Sequence, residues 1–155
     1  MKASCSKMKI ISFVVLSLVE ITSGYAQNFP PNNIDLRATY CVAFHNFIVS
    51  QNLPILNDER KFASLYGTQF VDDIRASTAS SENNLSRLRG YMLPRLKFLD
   101  AESLLLAANQ FPKDYQFLQS CQKKCSDLDC MNICPTSTGY QEKVTWCTNL
   151  NWIPF

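Results

Sequence analysis

The sequence is poor in the residues and motifs on which catalysis and cofactor binding depend. It contains one histidine, His45, and it has no GxSxG nucleophile motif, no CxxC pair and no cofactor-binding loop. A serine hydrolase, a thioredoxin-like site and a zinc ribbon therefore each lack their usual signature. The sequence predicts no metal site, no cofactor and no catalytic residue.

A hydrophobic run long enough to anchor the N-terminal region in a membrane is also missing. The apolar run Ile10–Val19 has ten residues, about half of the roughly 20 that a spanning helix needs. It follows Lys2, Lys7 and Lys9, and it precedes a polar stretch that contains Gly24 and Ala26. This order is typical of a cleaved secretory signal at residues 1–26, which leaves residues 27–155 as a single domain.

The predicted mature chain lacks an excess of charge of either sign. Loss of the signal removes three of the 15 basic residues and one of the 13 acidic residues, so 12 of each remain. Counterion-driven binding of nucleic acid needs a strong basic excess. We therefore expect no nucleic acid partner and no polybasic membrane contact.

Cysteine, by contrast, is abundant and clustered. Of the seven cysteines, Cys5 lies in the signal, and the other six form an even set suited to disulfides in the periplasm or outside the cell. Four of them follow the pattern Cys121-x3-Cys125-x4-Cys130-x3-Cys134.

The spacing of these cysteines predicts a helical hairpin with nested bridges. Cysteines at i and i+4 point the same way on a helix and bond poorly to each other, but they bond well across a tight turn. The turn at residues 126–129 would pair Cys125 with Cys130 and Cys121 with Cys134. Cys41 and Cys147 then pair by elimination. Metal binding and thiol redox catalysis remain alternatives for the cluster.

Helical spacing of apolar residues dominates the rest of the chain. No strand alternation and no internal repeat is present, so we expect an all-α bundle of four or five helices with short connections. The expected N-caps are Asn33, Asn57 or Asp58, Ser81 and Asp100. The expected breaks fall at Asn52–Pro54, in a linker at Ser77–Ser81, at Pro112 and after Pro135. One helix is expected to run through Gly67, from residue 57 or 58 to about Ala76.

Few polar residues stand out as candidates for chemistry. Any catalytic arrangement that pairs a histidine with a serine, cysteine or aspartate must use His45, although a lone helical histidine is more often structural. Asp72 and Asp73 are adjacent and point to different faces of a helix, which excludes a carboxylate dyad. Asn84-Leu85-Ser86 is a glycosylation sequon.

Two regions are candidates for contact with a partner. The first is a basic stretch with Arg87, Arg89, Arg95 and Lys97. The second is the aromatic C-terminus with Trp146, Trp152 and Phe155, which either docks on the bundle next to Cys147 or binds a partner.

These observations favour an exported, non-catalytic helical protein that binds a protein or surface partner. The alternative is a carrier of a small apolar ligand, with phenylalanines such as Phe44, Phe47 and Phe62 lining a pocket between helices. A small hydrolase that uses His45 is the third hypothesis.

The signal peptide assignment makes a direct prediction about the mature protein. We expect cleavage after Ala26, so that the exported protein begins at Gln27. Intact-mass measurement and N-terminal sequencing of protein recovered from the periplasm or the medium of expressing cells test this. An N-terminus upstream of Ile10 would contradict it.

Overall fold

The computed structural model describes residues 33–154, and its first helix begins where the sequence predicts. The Asn33 side chain accepts hydrogen bonds from the backbone N–H groups of Asp35 and Leu36, at 3.1 Å each, and so caps α1, Ile34–Asn57. The helix does not end at Asn52–Pro54, as expected, but contains Pro54. Burial of Asn52 and Ile55 in the last turns offsets the backbone hydrogen bond that proline removes.

The next two helices are divided at a glycine rather than at the predicted linker. α2 covers Glu59–Tyr66 and α3 covers Thr68–Met92, with Gly67 between them at φ 93°. Residues other than glycine rarely adopt this conformation, so the expectation of a single helix through Gly67 is wrong. The expected linker at Ser77–Ser81 is instead helical, because Thr78 and Ser81 are buried, so Ser81 lies inside α3 and is not the N-cap expected there.

The second half of the chain forms a helical hairpin and a short final helix. A 3-10 helix, Leu96–Phe98, leads to α4, Ala101–Lys123, and the Asp100 carboxylate caps α4 by accepting from Ser103 N–H at 2.8 Å. α5 covers Leu128–Ser137 and α6 covers Tyr140–Thr148. The expected break at Pro112 is wrong, since this proline lies inside α4, whereas α5 ends two residues after Pro135, as expected.

The predicted all-α architecture is confirmed, with a different number of helices. Within residues 33–154 there are six α-helices rather than four or five, because Gly67 and Gly139, both at positive φ, each end a helix. α1 packs against α3, α4 and α6. None of the helices in this range combines the length and apolar character that crossing a membrane requires.

The core is built from apolar and aromatic side chains of α1, α3, α4 and the C-terminal segment. The Phe111 ring on α4 contacts Tyr40, Phe44 and Phe47 of α1, with ring centroids 5.8, 5.7 and 5.3 Å away. Leu88, Leu150 and Ile153 complete the same cluster. Edge-to-face ring pairs of this kind stabilise a core beyond the burial of their area.

An ion pair fastens α4 to α6 at the edge of this core. Lys143 Nζ lies 2.6 Å from a carboxylate oxygen of Asp114, and both side chains are less than one-fifth exposed (18% and 14%). Gln110 also donates to Asp114. Burial, together with repulsion from Tyr115 and Asp114, raises the pKa of nearby Tyr140 to about 12.

Three disulfides link the helices, in the pairs that spacing and elimination predict. Cys121–Cys134 and Cys125–Cys130 join α4 and its C-terminal end to α5, which gives the expected C-terminal helical hairpin. Cys41–Cys147 joins α1 to α6 across 106 positions of sequence, and neither cysteine has any exposed surface (0% each). Three bridges are typical of proteins in oxidising compartments.

The three bridges should differ in their contribution to stability. In the chain-entropy model, Cys41→Ala with Cys147→Ala should lower the free energy of unfolding by about 4–5 kcal/mol, and Cys125→Ala with Cys130→Ala by about 2 kcal/mol. The difference arises because the sequence separations are 106 and 5 residues. Urea unfolding of the two double variants measures it. Equal losses would contradict the entropic explanation.

Candidate functional site

His45 lies between helices rather than in an open cleft. Its side chain is 2% exposed, and its Nε2 is 2.9 Å from the backbone carbonyl oxygen of Cys147. A carbonyl oxygen only accepts, so Nε2 carries the proton and Nδ1 of the neutral ring is an acceptor. Burial lowers the pKa of His45, against a smaller opposing effect of the Cys147 hydrogen bond, which favours this neutral form.

The second ring nitrogen of His45 has no hydrogen-bond partner in the structure. Nδ1 is buried and unpaired. An unsatisfied buried acceptor costs about 1–3 kcal/mol, so proteins rarely leave one without water or ligand. Nδ1 is thus a buried acceptor with no donor among residues 33–154.

A cavity of about 140 Å³ lies beside His45, between α1, α3 and the end of α6. α1 contributes Phe44, His45 and Ile48 to its wall. The remaining lining residues are small and polar: Ser77, Ser80, Ser81, Asn84 and Thr148. We call this space the seam cavity.

The seam cavity belongs to a polar line along the contact of α1 with α3. The buried polar residues within the described part of the chain all lie on these two helices: His45, Asn52, Thr78, Ser81 and Asn84. Asn52 donates to the Thr78 hydroxyl at 3.0 Å, and that hydroxyl donates to the Ile74 carbonyl at 2.8 Å. Polar groups therefore occupy part of the interface between the two longest helices of the bundle.

Sequence reasoning missed this polar line because its α3 half has the composition of a linker. Its members at 78, 81 and 84, with apolar Leu85 and Leu88, follow the three-four spacing of a helix face. That spacing could have predicted a buried helix face here, although a run of small polar residues is more typical of a linker. Asn84 of the sequon also belongs to this face and is only 8% exposed.

The seam cavity does not provide the arrangement that a hydrolase needs. A nucleophile must lie within hydrogen-bond reach of its base, and no serine, aspartate or glutamate side chain among residues 33–154 bonds to His45. Asp72 pairs with Arg75 and Asp73 accepts from Gln69, both on the exposed face of α3. These contacts lend the hydrolase hypothesis no support.

The cavity also fits poorly with a carrier of apolar ligands. Its volume is about 140 Å³, below the roughly 300–1,000 Å³ of typical ligand pockets, and six of its eight lining residues are polar. Phe44 and Phe47 pack against Phe111 in the core, and Phe62 stacks on Tyr66 of α2. The phenylalanines that a carrier would use are thus engaged with other rings.

The cysteine cluster has the compactness of a metal site but not its chemistry. The sulfur atoms of Cys121, Cys125 and Cys134 lie within 4.8 Å of one another. All three belong to disulfides, whereas a metal ligand must be a free thiolate. In the oxidised protein these cysteines form the disulfides that link α4 to α5.

The tryptophans of the C-terminal segment pack against the bundle around an arginine. The Arg37 guanidinium on α1 lies 4.5 Å from the ring centre of Trp146 and 5.2 Å from that of Trp152. Trp152 Nε1 donates to the Trp146 carbonyl at 2.7 Å. The segment therefore docks at least through Ile153, which is buried. Phe155 lies outside the described residues.

The basic stretch lies at the turn between α3 and α4, next to exposed apolar side chains. Leu93, Leu96 and Phe98 are 67%, 46% and 78% exposed. Arg89 and Lys97 are exposed beside them, and Lys97 Nζ is 4.8 Å from the Phe98 ring centre. We call these residues, with Arg95, the α3–α4 corner.

The arginines of this stretch differ in their exposure and in their contacts within the fold. Arg95 stacks on the Tyr91 ring at 4.1 Å and lies 3.8 Å from the Asp35 carboxylate, to which the Tyr91 hydroxyl donates. Arg87 is half-buried on α3, whereas Arg89 is exposed. The corner is thereby fixed to the first turn of α1.

Comparisons with known proteins give no relative from which function can be transferred. No protein-family model, curated protein or solved structure matches this chain. Function must therefore be argued from the geometry described above.

The buried neutral His45 should make stability depend on pH. The pKa of His45 in the folded protein lies below the ordinary value of 6.5. Just below pH 6.5, His45 therefore binds a proton in the unfolded chain but stays neutral in the folded chain. We expect the free energy of unfolding to fall as pH drops below about 6.5. Denaturant melts between pH 7.5 and 5 measure this.

The matched control is His45→Gln, whose amide N–H can still donate to Cys147. This variant should lose the part of the pH dependence that is centred on the histidine. An unchanged pH profile would show that other groups carry the effect.

Proposed function

We propose that this chain is an exported, non-catalytic protein that binds an acidic partner protein through the α3–α4 corner. The observation that carries the proposal is the exposure of Leu93, Leu96 and Phe98 beside the basic residues of that corner. Apolar anchors with basic neighbours favour a partner groove that is apolar at its centre and acidic at its rim.

Leu93, Leu96 and Phe98 are suited to binding because their side chains are exposed while the backbone next to them is packed against the fold. Phe98 is the most exposed of the large apolar side chains in residues 33–154, at 78%. Leu99, the next residue, packs against the core, and Asp100 caps α4. The anchors are thus held in place before any partner arrives, which lowers the entropy cost of association.

Charge at the corner favours an acidic partner. Arg89 and Lys97 are exposed. Two acidic residues of this region are engaged within the fold, Asp35 with Tyr91 and Arg95, and Asp100 with the N-terminus of α4. Exposed positive charge at the rim steers association and selects among partners more than it adds affinity.

Export is supported by the sequence before the described residues and by the three disulfides. The order of Lys2, Lys7 and Lys9, the apolar run Ile10–Val19 and the small residues Gly24 and Ala26 is typical of a secretory signal. The bridges suit the periplasm or the extracellular space. The partner should be found in the same compartment.

Quantitative capture with paired variants tests the proposal. Mature protein is immobilised in the oxidised form and exposed to proteins of its native compartment, and the retained partner is then measured in purified form. Phe98→Ser should weaken binding by about 30-fold, the loss expected when a hot spot worth about 2 kcal/mol is removed. Leu65→Ser on α2, where the side chain is also exposed (61%), is the control and should bind like wild type.

Charge is tested separately with Lys97→Glu. This variant should bind more slowly and with a weaker dependence on salt concentration than wild type. Partner retention that is unaffected by both Phe98→Ser and Lys97→Glu would overturn the proposal that the corner is the binding surface.

A further inference from the structure

The two disulfides of the α4–α5 hairpin lie in contact with each other. We call Cys125–Cys130 the outer bridge and Cys121–Cys134 the inner bridge. Cys125 Sγ lies 3.7 Å from Cys134 Sγ, although the two atoms belong to different bridges. We infer that the bridges form a thiol–disulfide exchange site, in which a dithiol substrate reduces the outer bridge and the freed Cys125 then opens the inner one. This inference does not depend on the α3–α4 corner.

The sulfur of Cys125 is placed for attack on the inner bridge. The Sγ atoms of Cys121, Cys125 and Cys134 all lie within 4.8 Å of one another. Cys125 Sγ also lies 3.5 Å from the Cys121 carbonyl oxygen, so it is turned back toward the last turn of α4. The separation of 3.7 Å from Cys134 Sγ is close to the roughly 3–3.5 Å at which reacting atoms are held in a near-attack geometry. Little movement is therefore needed once Cys125 is released from Cys130.

The two bridges differ in how far a dithiol in solution can reach them. Both cysteines of the outer bridge are partly exposed, whereas Cys134 of the inner bridge is 1% exposed. Exchange requires access of the attacking thiolate to a disulfide sulfur. A dithiol can therefore open the outer bridge from solution, but attack on Cys134 must come from within the hairpin.

The exchange proceeds in two balanced steps. The dithiol first attacks the outer bridge, becomes a disulfide itself, and leaves Cys125 and Cys130 as thiols. The Cys125 thiolate then attacks Cys134 Sγ, so that a Cys125–Cys134 bond forms and the Cys121–Cys134 bond breaks. Cys121 takes the electron pair of that bond and the proton that Cys125 lost. The product is a hairpin closed by one new bridge, with Cys121 and Cys130 as free thiols.

The third disulfide stays outside this exchange. Cys41 and Cys147 have no exposed surface (0% each), and neither belongs to the compact group of sulfur atoms in the hairpin. A dithiol that opens the hairpin bridges therefore leaves α1 joined to α6. The redox change is confined to the α4–α5 hairpin.

Partial reduction of the oxidised mature protein tests the inference. The protein is treated with a single equivalent of dithiothreitol at mildly alkaline pH, quenched in acid, alkylated with N-ethylmaleimide and mapped by mass spectrometry. Protein that has gained two electrons should contain a Cys125–Cys134 peptide pair, with Cys121 and Cys130 alkylated. Two-electron-reduced protein that holds only the pairs of the oxidised structure would overturn the inference.

Two single variants form a matched pair, because each removes the outer bridge and leaves one free thiol. In Cys130→Ser the free thiol is Cys125, which lies beside Cys134. Transfer of this variant from acid, where exchange is slow because it requires a thiolate, to mildly alkaline pH should produce the Cys125–Cys134 pair over time. In Cys125→Ser the free thiol is Cys130, which is not a member of the compact sulfur group, so Cys121–Cys134 should remain.

The outcomes divide into support and refutation. Growth of the Cys125–Cys134 pair in Cys130→Ser, with no new pair in Cys125→Ser, supports the exchange site. New pairs in both variants to the same extent, or in neither, overturn it, as does wild-type protein in which the first two electrons open Cys41–Cys147. Circular dichroism checks the fold of each variant, and the wild-type experiment decides alone if either variant fails to fold.

Discussion

The buried Cys41–Cys147 bridge is the constraint on which most of the structure depends. It joins the centre of α1 to the end of α6 and closes a loop of 106 positions. Because Cys147 is fixed in this way, its carbonyl oxygen stands 2.9 Å from His45 Nε2. The same bridge holds the start of the C-terminal segment against α1, where Arg37 meets the two tryptophans. This one disulfide therefore positions the carbonyl group that determines the His45 tautomer, and it also holds the C-terminal segment against α1.

Polar groups at the α1–α3 contact cost stability that an apolar contact would not. An interface that holds His45, Asn52 and Asn84 must satisfy each group or leave it unpaired. Asn52 and Thr78 satisfy each other, but His45 Nδ1 has no partner. The Cys41–Cys147 disulfide and the aromatic cluster around Phe111 contribute stability to the bundle. This stability offsets the cost of the polar interface.

Covalent and capping features were predictable from sequence because they depend on local chemistry. Asn33 and Asp100 cap helices as expected, since a side-chain oxygen satisfies free N–H groups wherever a helix starts. The cysteine spacing likewise determines which bonds a tight hairpin allows. Helix ends were less predictable, because Pro54 and Pro112 both lie inside helices that were expected to break there. Burial of neighbouring residues such as Ile55 and Phe111 overrides a local preference that proline alone would set.

The seam cavity could not be predicted, because it arises from contacts distant in sequence. His45 and Cys147 are 102 positions apart, and no sequence pattern near either residue predicts their hydrogen bond. The α3–α4 corner is the opposite case, since its basic residues are close together in sequence and only the exposure of its apolar residues required the structure. The two regions also differ in shape. The corner is an exposed apolar and basic surface, whereas the cavity has a volume of about 140 Å³. The cavity wall is formed by α1, α3 and Thr148 of α6, while the corner is fixed to α1 through Asp35. α1 and α3 therefore both contribute to the cavity and to the corner, since α3 lines the cavity with four residues and also carries Arg89.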